Sequence, residues 1–183
     1  MRKPVVFRVD LEPVGQPRPR AVAVPTGKYR AGQQLWTART HPVTHIKTPK
    51  GQKNKLHPIV PFREAIALTA KAMFRRPFEG PLRVELLCVF RRESKRIWKT
   101  KPMYRYWHCS KPDGDNVAKA VLDAMTGEAW ADDSQVCELI VSKMRCGAGD
   151  EPCVIVRVSE LGDEVVTWAD EFLGERKAET LLF

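Results

Sequence analysis

The chain has 183 residues and a net charge of +9, from 31 Lys and Arg against 22 Asp and Glu. Hydrophobic residues make up 43% and charged residues 29%, which is typical of one globular domain and excludes a disordered or collagen-like chain. The apolar runs are short and interrupted by charge, so none approaches the ~20 residues of a membrane span. The 5 cysteines form no C-x-x-C pair and the first residues lack a secretory pattern. We therefore expect free thiols and a cytoplasmic protein.

The first third of the chain combines short strand patterns with turn residues. Residues 1–11 alternate imperfectly between apolar and polar positions, which predicts a half-buried strand that ends at Pro13. Several prolines then exclude a helix, and residues 21–24 predict a second short strand. Residues 32–57 are polar and rich in lysine and have no apolar period. They predict a long exposed basic loop, either a solvated insertion or a nucleic-acid contact.

The rest of the chain has clearer periodicity. Three segments carry apolar residues at helical spacing and predict helices: 58–74, 115–126 and 164–177. Three segments alternate between apolar and other residues and predict strands: 82–90, 136–145 and 153–160. Together they predict an α+β fold, with a small mixed or antiparallel sheet, two main helices and a C-terminal helix. We expect one compact domain over 1–161 and a helical extension over 162–183.

Charge is divided unevenly along the chain. Residues 1–112 hold 25 Lys and Arg and 6 Asp and Glu, whereas residues 113–183 hold 6 and 16. This asymmetry indicates a nucleic-acid partner, and residues 91–107 also mix basic residues with Trp and Tyr. Hydrolysis of a phosphodiester needs divalent cations, which need carboxylates close together inside a positive surface. Carboxylates beside the basic part of the chain are therefore candidates for a cation site.

Two pairs of aspartates meet that condition. Asp113 and Asp115 open the second predicted helix, and in an extended segment their side chains point to the same side, about 6–7 Å apart. Lys119 follows one helical turn beyond Asp115. Asp132 and Asp133 come after the helix and before a predicted strand. Each pair also has a structural interpretation, the first as helix caps and the second as turn residues.

These residues belong to a longer motif. Residues 111–127 read KPDGDNVAKAVLDAMTG, and Trp130, the run DDSQV at 132–136 and Lys143 follow. This pattern resembles the RusA family of Holliday junction resolvases, in which K-P-D-x-D-N precedes a helix and W-x-D-D-x-Q comes after it. The early elements G-x-P at 15–17 and R-P-R at 18–20 are similar to that family as well. Gly114 stands where the family usually has an apolar residue.

The resemblance implies a homodimeric, Mg²⁺-dependent endonuclease that resolves four-way DNA junctions by paired nicks, with Mn²⁺ as an alternative metal. It implies that Asp113, Asp115 and Asp133 are metal ligands, that the adjacent Asp132 is able to share this task, and that Lys119 is an essential basic residue. The basic residues expected to contact DNA are Arg18, Arg20, Lys111 and Lys119. Asp123 either pairs with the ammonium of Lys119 or is structural.

Two other functions stay open on sequence alone. In a non-catalytic DNA-binding module, the aspartates would be helix caps and the basic residues would supply all of the affinity. In an RNA-binding protein, the basic loop would contact a structured RNA. A homodimer is also expected because a four-way junction has approximate twofold symmetry and paired nicks need two active sites. The sequence leaves open whether the protein is encoded by a chromosome or by a phage, and whether it associates with the nucleoid.

Overall fold

The computed structural model describes residues 2–17, 20–41, 43–46 and 55–162. Within these ranges the chain forms the following elements: β1 (Val5–Val9), β2 (Arg20–Arg30), β3 (Gln33–His41), β4 (His45–Ile46), β5 (Lys55–Leu56), α1 (Ile59–Met73), β6 (Leu82–Phe90), β7 (Tyr106–Trp107), α2 (Gly114–Met125), β8 (Val136–Arg145) and β9 (Cys153–Glu160). None of the helices in this described part is long and apolar enough to cross a membrane.

The main sheet has five strands in the order β1-β9-β6-β8-β7. β6 and β8 run parallel, and every other neighbouring pair in this sheet is antiparallel. Parallel neighbours need a crossover connection, and α2 lies on the connection from β6 to β8. This topology places the N-terminal end of α2, and the motif that opens it, beside the middle of β8.

The core lies between this sheet and the two helices. Alternate residues of β6 are at most 3% exposed: Leu82, Val84, Leu86, Cys88 and Phe90. They pack in one cluster with fully buried helix residues, which include Phe62 and Ile66 of α1 and Val117 and Val121 of α2. The period of two in the strand and of about four in the helices both follow from burial of one face. The predicted α+β fold is therefore confirmed.

The strands predicted over 82–90, 136–145 and 153–160 are confirmed with the same bounds. Both helices lie within one residue of their predicted bounds. The helix predicted over 164–177 lies outside the described residues. The five cysteines are free, and three of them are buried.

The exposed loop predicted over 32–57 is wrong in its first part. β2 and β3 pair as an antiparallel two-stranded ribbon over residues 20–41, far beyond the short strand predicted at 21–24. Its tip is a two-residue turn with Ala31 at φ 51° and Gly32 at φ 77°, a left-handed geometry that suits hairpins. Side chains 33–39 are exposed. The ribbon could not be predicted because over residues 23–39 its side chains are largely exposed on both faces, which leaves no apolar alternation to detect.

Candidate active site

The chain just before Asp113 is held by a lysine of the main sheet. Lys143 of β8 pairs with the buried Cys88 in the parallel register, so its side chain points to the helix-covered face. Its Nζ donates hydrogen bonds to the carbonyl oxygens of Ser110 at 2.9 Å and Pro112 at 2.7 Å. These two bonds to a charged donor fix the backbone that leads into Asp113.

His108 supports the same segment. Its ring is buried against Phe90, with the ring centroids 4.2 Å apart. Burial and the nearby positive charge of Arg145 lower the pKa of His108, so the ring is neutral near pH 7. The neutral ring donates from Nε2 to the carbonyl oxygen of Lys111 at 3.1 Å. Residues 108–112 are thus held at both ends.

A second support comes from residues 13–17, which run along α2 and are called the strap below. A Cβ atom built on Gly15 would lie 2.6 Å from Cβ of Pro112, so only glycine allows this close approach. The Gln16 backbone N–H donates to the carbonyl oxygen of Asn116 at 2.9 Å, and its Nε2 donates to Asp123 at 2.9 Å. The described partner of Asp123 is therefore Gln16, not Lys119. The early G-x-P element of the sequence packs directly on the motif helix.

Asp113 and Asp115 present two exposed carboxylates at the N-terminal end of α2. Asp113 occupies the N-cap position with φ −68° and ψ 150°, but its side chain makes no capping hydrogen bond. Asp115 lies in the first turn of the helix, where a negative charge is favourable, and Lys119 is exposed one turn further on. Among the described residues, neither carboxylate accepts a side-chain hydrogen bond or forms an ion pair. Both are available to a ligand from outside the chain.

Asp132 has a structural task in the turn after α2. Its Oδ1 accepts a hydrogen bond from the Ser134 backbone N–H at 2.8 Å, and Gln135 accepts in return from the Asp132 N–H at 3.2 Å. This is a reciprocal capping box on the short 3₁₀ turn Asp133–Gln135. Hydrogen bonds from the side chain and backbone of Ser134 lower the pKa of Asp132. The turn interpretation of this residue therefore has direct support.

Asp133 lies at the other end of α2 from Asp113 and Asp115. Its Oδ1 accepts from Nε1 of the buried Trp130 at 2.8 Å and from the hydroxyl of Thr126, which directly follows the helix. A helix of 12 residues is about 18 Å long, so Asp133 of the same chain does not join the other two aspartates. Consistent with this, no three potential metal-ligating side chains cluster within the described ranges. A metal-ligand role for Asp133 stays a prediction.

The predicted DNA contacts are placed only in part. Lys111 is exposed two residues before Asp113, and Lys119 lies on the first turns of α2. Arg20 begins β2, and Arg18 lies outside the described residues. The role of Lys143 was not predicted, although the motif includes it. A lysine at a core-facing position of β8 indicates such a role. That Lys143 faces the core can be recognised only once the register of β8 with β6 is known.

The segment 91–107, which mixes basic and aromatic residues, lies mostly at the surface. Its aromatic side chains include Tyr104, which is 79% exposed, and Trp107, which is 66% exposed. The segment is organised by the buried Arg92, which donates to the carbonyl oxygens of Cys146 at 2.9 Å and Arg96 at 3.2 Å and also to that of Tyr104. One buried guanidinium therefore holds a loop that presents cations and aromatic rings to solvent.

Two exposed carboxylates at the start of a helix, with the exposed Lys111 and Lys119 close by in the sequence, are typical of a protein that acts on phosphodiesters. Residues 10–159 match the family described as endodeoxyribonuclease RusA. The chain therefore belongs to the RusA endodeoxyribonuclease family. It is also similar to the uncharacterized protein YqaN of Bacillus subtilis (strain 168), with 30% identity over 166 residues, which is 86% of this chain and 96% of that protein.

Proposed function

We propose that this protein is a divalent-metal-dependent endonuclease that resolves four-way DNA junctions by paired nicks in DNA recombination and repair. The observation that carries this proposal is the pair Asp113 and Asp115, exposed and not used as caps, in a chain of the RusA family. Mg²⁺ is usually bound by one or two protein carboxylates together with waters and substrate phosphates. The donor pair therefore fits Mg²⁺, with Mn²⁺ as an alternative.

Each residue of the site has a distinct task in this proposal. Asp113 and Asp115 hold the cation, which when bound neutralises phosphate charge and activates water. Lys119 binds a non-bridging oxygen of the scissile phosphate and stabilises the charge that develops there. Lys143 contacts neither phosphate nor metal; it positions the backbone of Asp113 through the carbonyl oxygens of Ser110 and Pro112.

We also propose that the protein acts as a homodimer in which Asp133 serves the site of the other copy. Two active sites related by a twofold axis match the approximate symmetry of a four-way junction. The separation of Asp133 from Asp113 by the length of α2 supports this arrangement, because a second chain with its α2 antiparallel to the first brings opposite helix ends together. Each site would then draw on both chains.

Cleavage of a synthetic four-way junction tests the proposed function. We expect cleavage with Mg²⁺ or Mn²⁺ and none with EDTA. Asp115→Asn is expected to lower the rate about a thousandfold, since loss of a metal ligand removes several kcal/mol of transition-state stabilisation. Asp10→Asn, which changes an exposed aspartate that pairs with Arg8 on β1, is the matched control and is expected to cleave normally.

Binding measured in EDTA separates the two parts of this result. The Asp115→Asn protein is expected to bind the junction at least as tightly as the unchanged protein, because a negative charge has been removed from a DNA-binding surface. A protein that binds junctions but leaves them intact with both metals would be a binding module, and the enzymatic proposal would be lost.

A further inference from the structure

The β2–β3 ribbon, residues 20–41, stands apart from the main sheet. Its two strands form a sheet of their own and hydrogen-bond in that sheet only with each other. At about 3.2–3.4 Å per residue, an 11-residue strand extends roughly 35 Å. An isolated two-stranded ribbon has no core of its own and is marginally stable in water. A long ribbon of this kind is well suited to contact a partner.

One face of the ribbon is aromatic. Pro25 lies opposite Trp36, and Tyr29 lies opposite Gln34, in the antiparallel register. Paired residues share a face, and Gln34 and Trp36 are two residues apart, so Tyr29 and Trp36 are diagonal neighbours on the same face. Tyr29 is 66% exposed and Trp36 is 60% exposed. Two large rings side by side in solvent form a platform for a flat partner.

The other face of the ribbon is cationic. Arg39 lies opposite Val22, and Arg30 lies opposite Gln33, at positions that alternate with the aromatic ones. Residues 20–41 contain 4 Lys and Arg and no Asp or Glu. No described acidic residue forms an ion pair with Arg30 or Arg39. The charge of this face is therefore complementary to phosphate.

The aromatic platform is held by a bulge in β2. The pairing shifts between Pro25 and Tyr29, and Gly27 adopts φ 73° there. The Thr26 hydroxyl donates to the carbonyl oxygen of Leu35 at 2.8 Å and accepts from the Lys28 N–H at 3.2 Å. A bulge fixed by its own hydrogen bonds aims the neighbouring side chains in a defined direction.

We propose that the β2–β3 ribbon recognises the branch of a DNA junction, where Tyr29 and Trp36 stack on exposed bases while Arg30 and Arg39 contact phosphates of the adjoining arm. This rests on the proposed function in so far as branched DNA is the partner. In a continuous duplex the base faces are covered by their neighbours, so an aromatic platform gains little from it. At a branch whose arms are not stacked on one another, the terminal bases of each arm have a free face, and stacking on an aromatic side chain is favourable for any base.

Binding in EDTA, where no cleavage can occur, tests the ribbon. The probes are a synthetic four-way junction and a linear duplex of the same sequence as two of its arms. Trp36→Ala is expected to weaken junction binding about tenfold, the loss of one base stack, and to leave duplex binding unchanged. The control is Leu68→Ala, which changes a 69% exposed side chain of α1, outside the ribbon, and is expected to bind both probes normally.

Three further variants make the test independent of ribbon folding. Trp36→Phe keeps an aromatic ring and is expected to restore most of the junction preference. The double change of Arg30 and Arg39 to Ala is expected to weaken binding to both probes and to flatten its salt dependence, because phosphate contacts do not distinguish the two DNAs. Tyr29→Ala is expected to behave as Trp36→Ala does.

The proposal would be overturned if Trp36→Ala bound the junction normally, or if it lost the same factor on both probes, which would make the ribbon a reader of ordinary duplex grooves. These outcomes are separate from those of the cleavage assay. A protein that does not cleave with Mg²⁺ or Mn²⁺ but loses junction preference in Trp36→Ala would refute the nuclease and retain the ribbon. If the protein cleaves junctions but Trp36→Ala binds them normally, the nuclease proposal is retained and the ribbon proposal is refuted.

Discussion

At the scale of single residues, the candidate site has two kinds of side chain. Some are exposed carboxylates, and others hold the backbone that carries these carboxylates in place. Asp113 and Asp115 project from the first residues of a helix whose entry is fixed by Lys143, His108 and Gly15. A metal site assembled from two carboxylates tolerates little displacement of either, because Mg²⁺ demands near-ideal coordination. The supporting contacts are therefore expected to affect metal binding without touching the metal.

Lys143→Met tests this expectation because methionine keeps much of the length of the side chain and removes its charge. The carbonyl oxygens of Ser110 and Pro112 then lose their donor, which costs about 1–3 kcal/mol of stability. We expect the Mg²⁺ concentration for half-maximal cleavage to rise about tenfold, as is typical when the support of a metal ligand is removed. Lys71→Met, on the exposed last turn of α1, is the control. An unchanged Mg²⁺ dependence in Lys143→Met would assign Lys143 to stability alone.

At the scale of elements, the strap packs very closely against the start of α2 and the residues just before it. Gly15 approaches Pro112 so closely that an added Cβ would lie only 2.6 Å from a side-chain carbon, whereas a Cβ on Gly114 would lie 3.6 Å from Val141, an ordinary contact. The packing around position 114 would therefore accept a larger residue than glycine. The packing around position 15 would not.

Two glycine-to-alanine changes are therefore expected to have opposite effects on the free energy of unfolding, measured in urea. Gly15→Ala forces the strap away from Pro112 and is expected to destabilise the fold by about 1–3 kcal/mol. Gly114→Ala lies within the helix, fits its surroundings, and is expected to stabilise by up to about 1 kcal/mol. A Gly15→Ala protein as stable as the unchanged one would contradict the close approach.

The elements that could be predicted from the sequence are those with one buried face. β6 was readable because its alternate residues are buried against helices, and the same holds for α2. The ribbon could not be predicted, because the side chains of residues 23–39 are largely exposed on both of its faces. That Asp113 and Asp115 lie near each other could be predicted, because residues two positions apart in the sequence stay close together in any fold. The contact of Lys143 with Pro112 could not be predicted, because it depends on the parallel pairing of β6 and β8.

At the scale of the whole molecule, the motif spans both ends of α2. Its first half places two aspartates before the helix, and its second half places Asp133 after the helix, where Trp130 and Thr126 hold its carboxylate. A single copy thus carries two separated acidic groups with a rigid helix between them. In the proposed homodimer, two copies related by a twofold axis with antiparallel α2 helices would convert this separation into two shared sites.

Mixed dimers of Asp115→Asn and Asp133→Asn chains, co-expressed with different tags, test this sharing. Each variant alone is expected to be inactive. In the mixed dimer, one shared site combines the unchanged Asp113 and Asp115 of one copy with the unchanged Asp133 of the other, so we expect nicking of a single junction strand. The other shared site carries both changes. A mixture of Asp113→Asn and Asp115→Asn chains, altered at the same helix end, is the control and is expected to stay inactive. If the first mixture also failed to nick, each site would belong to one chain and the role of Asp133 would be confined to the turn after α2.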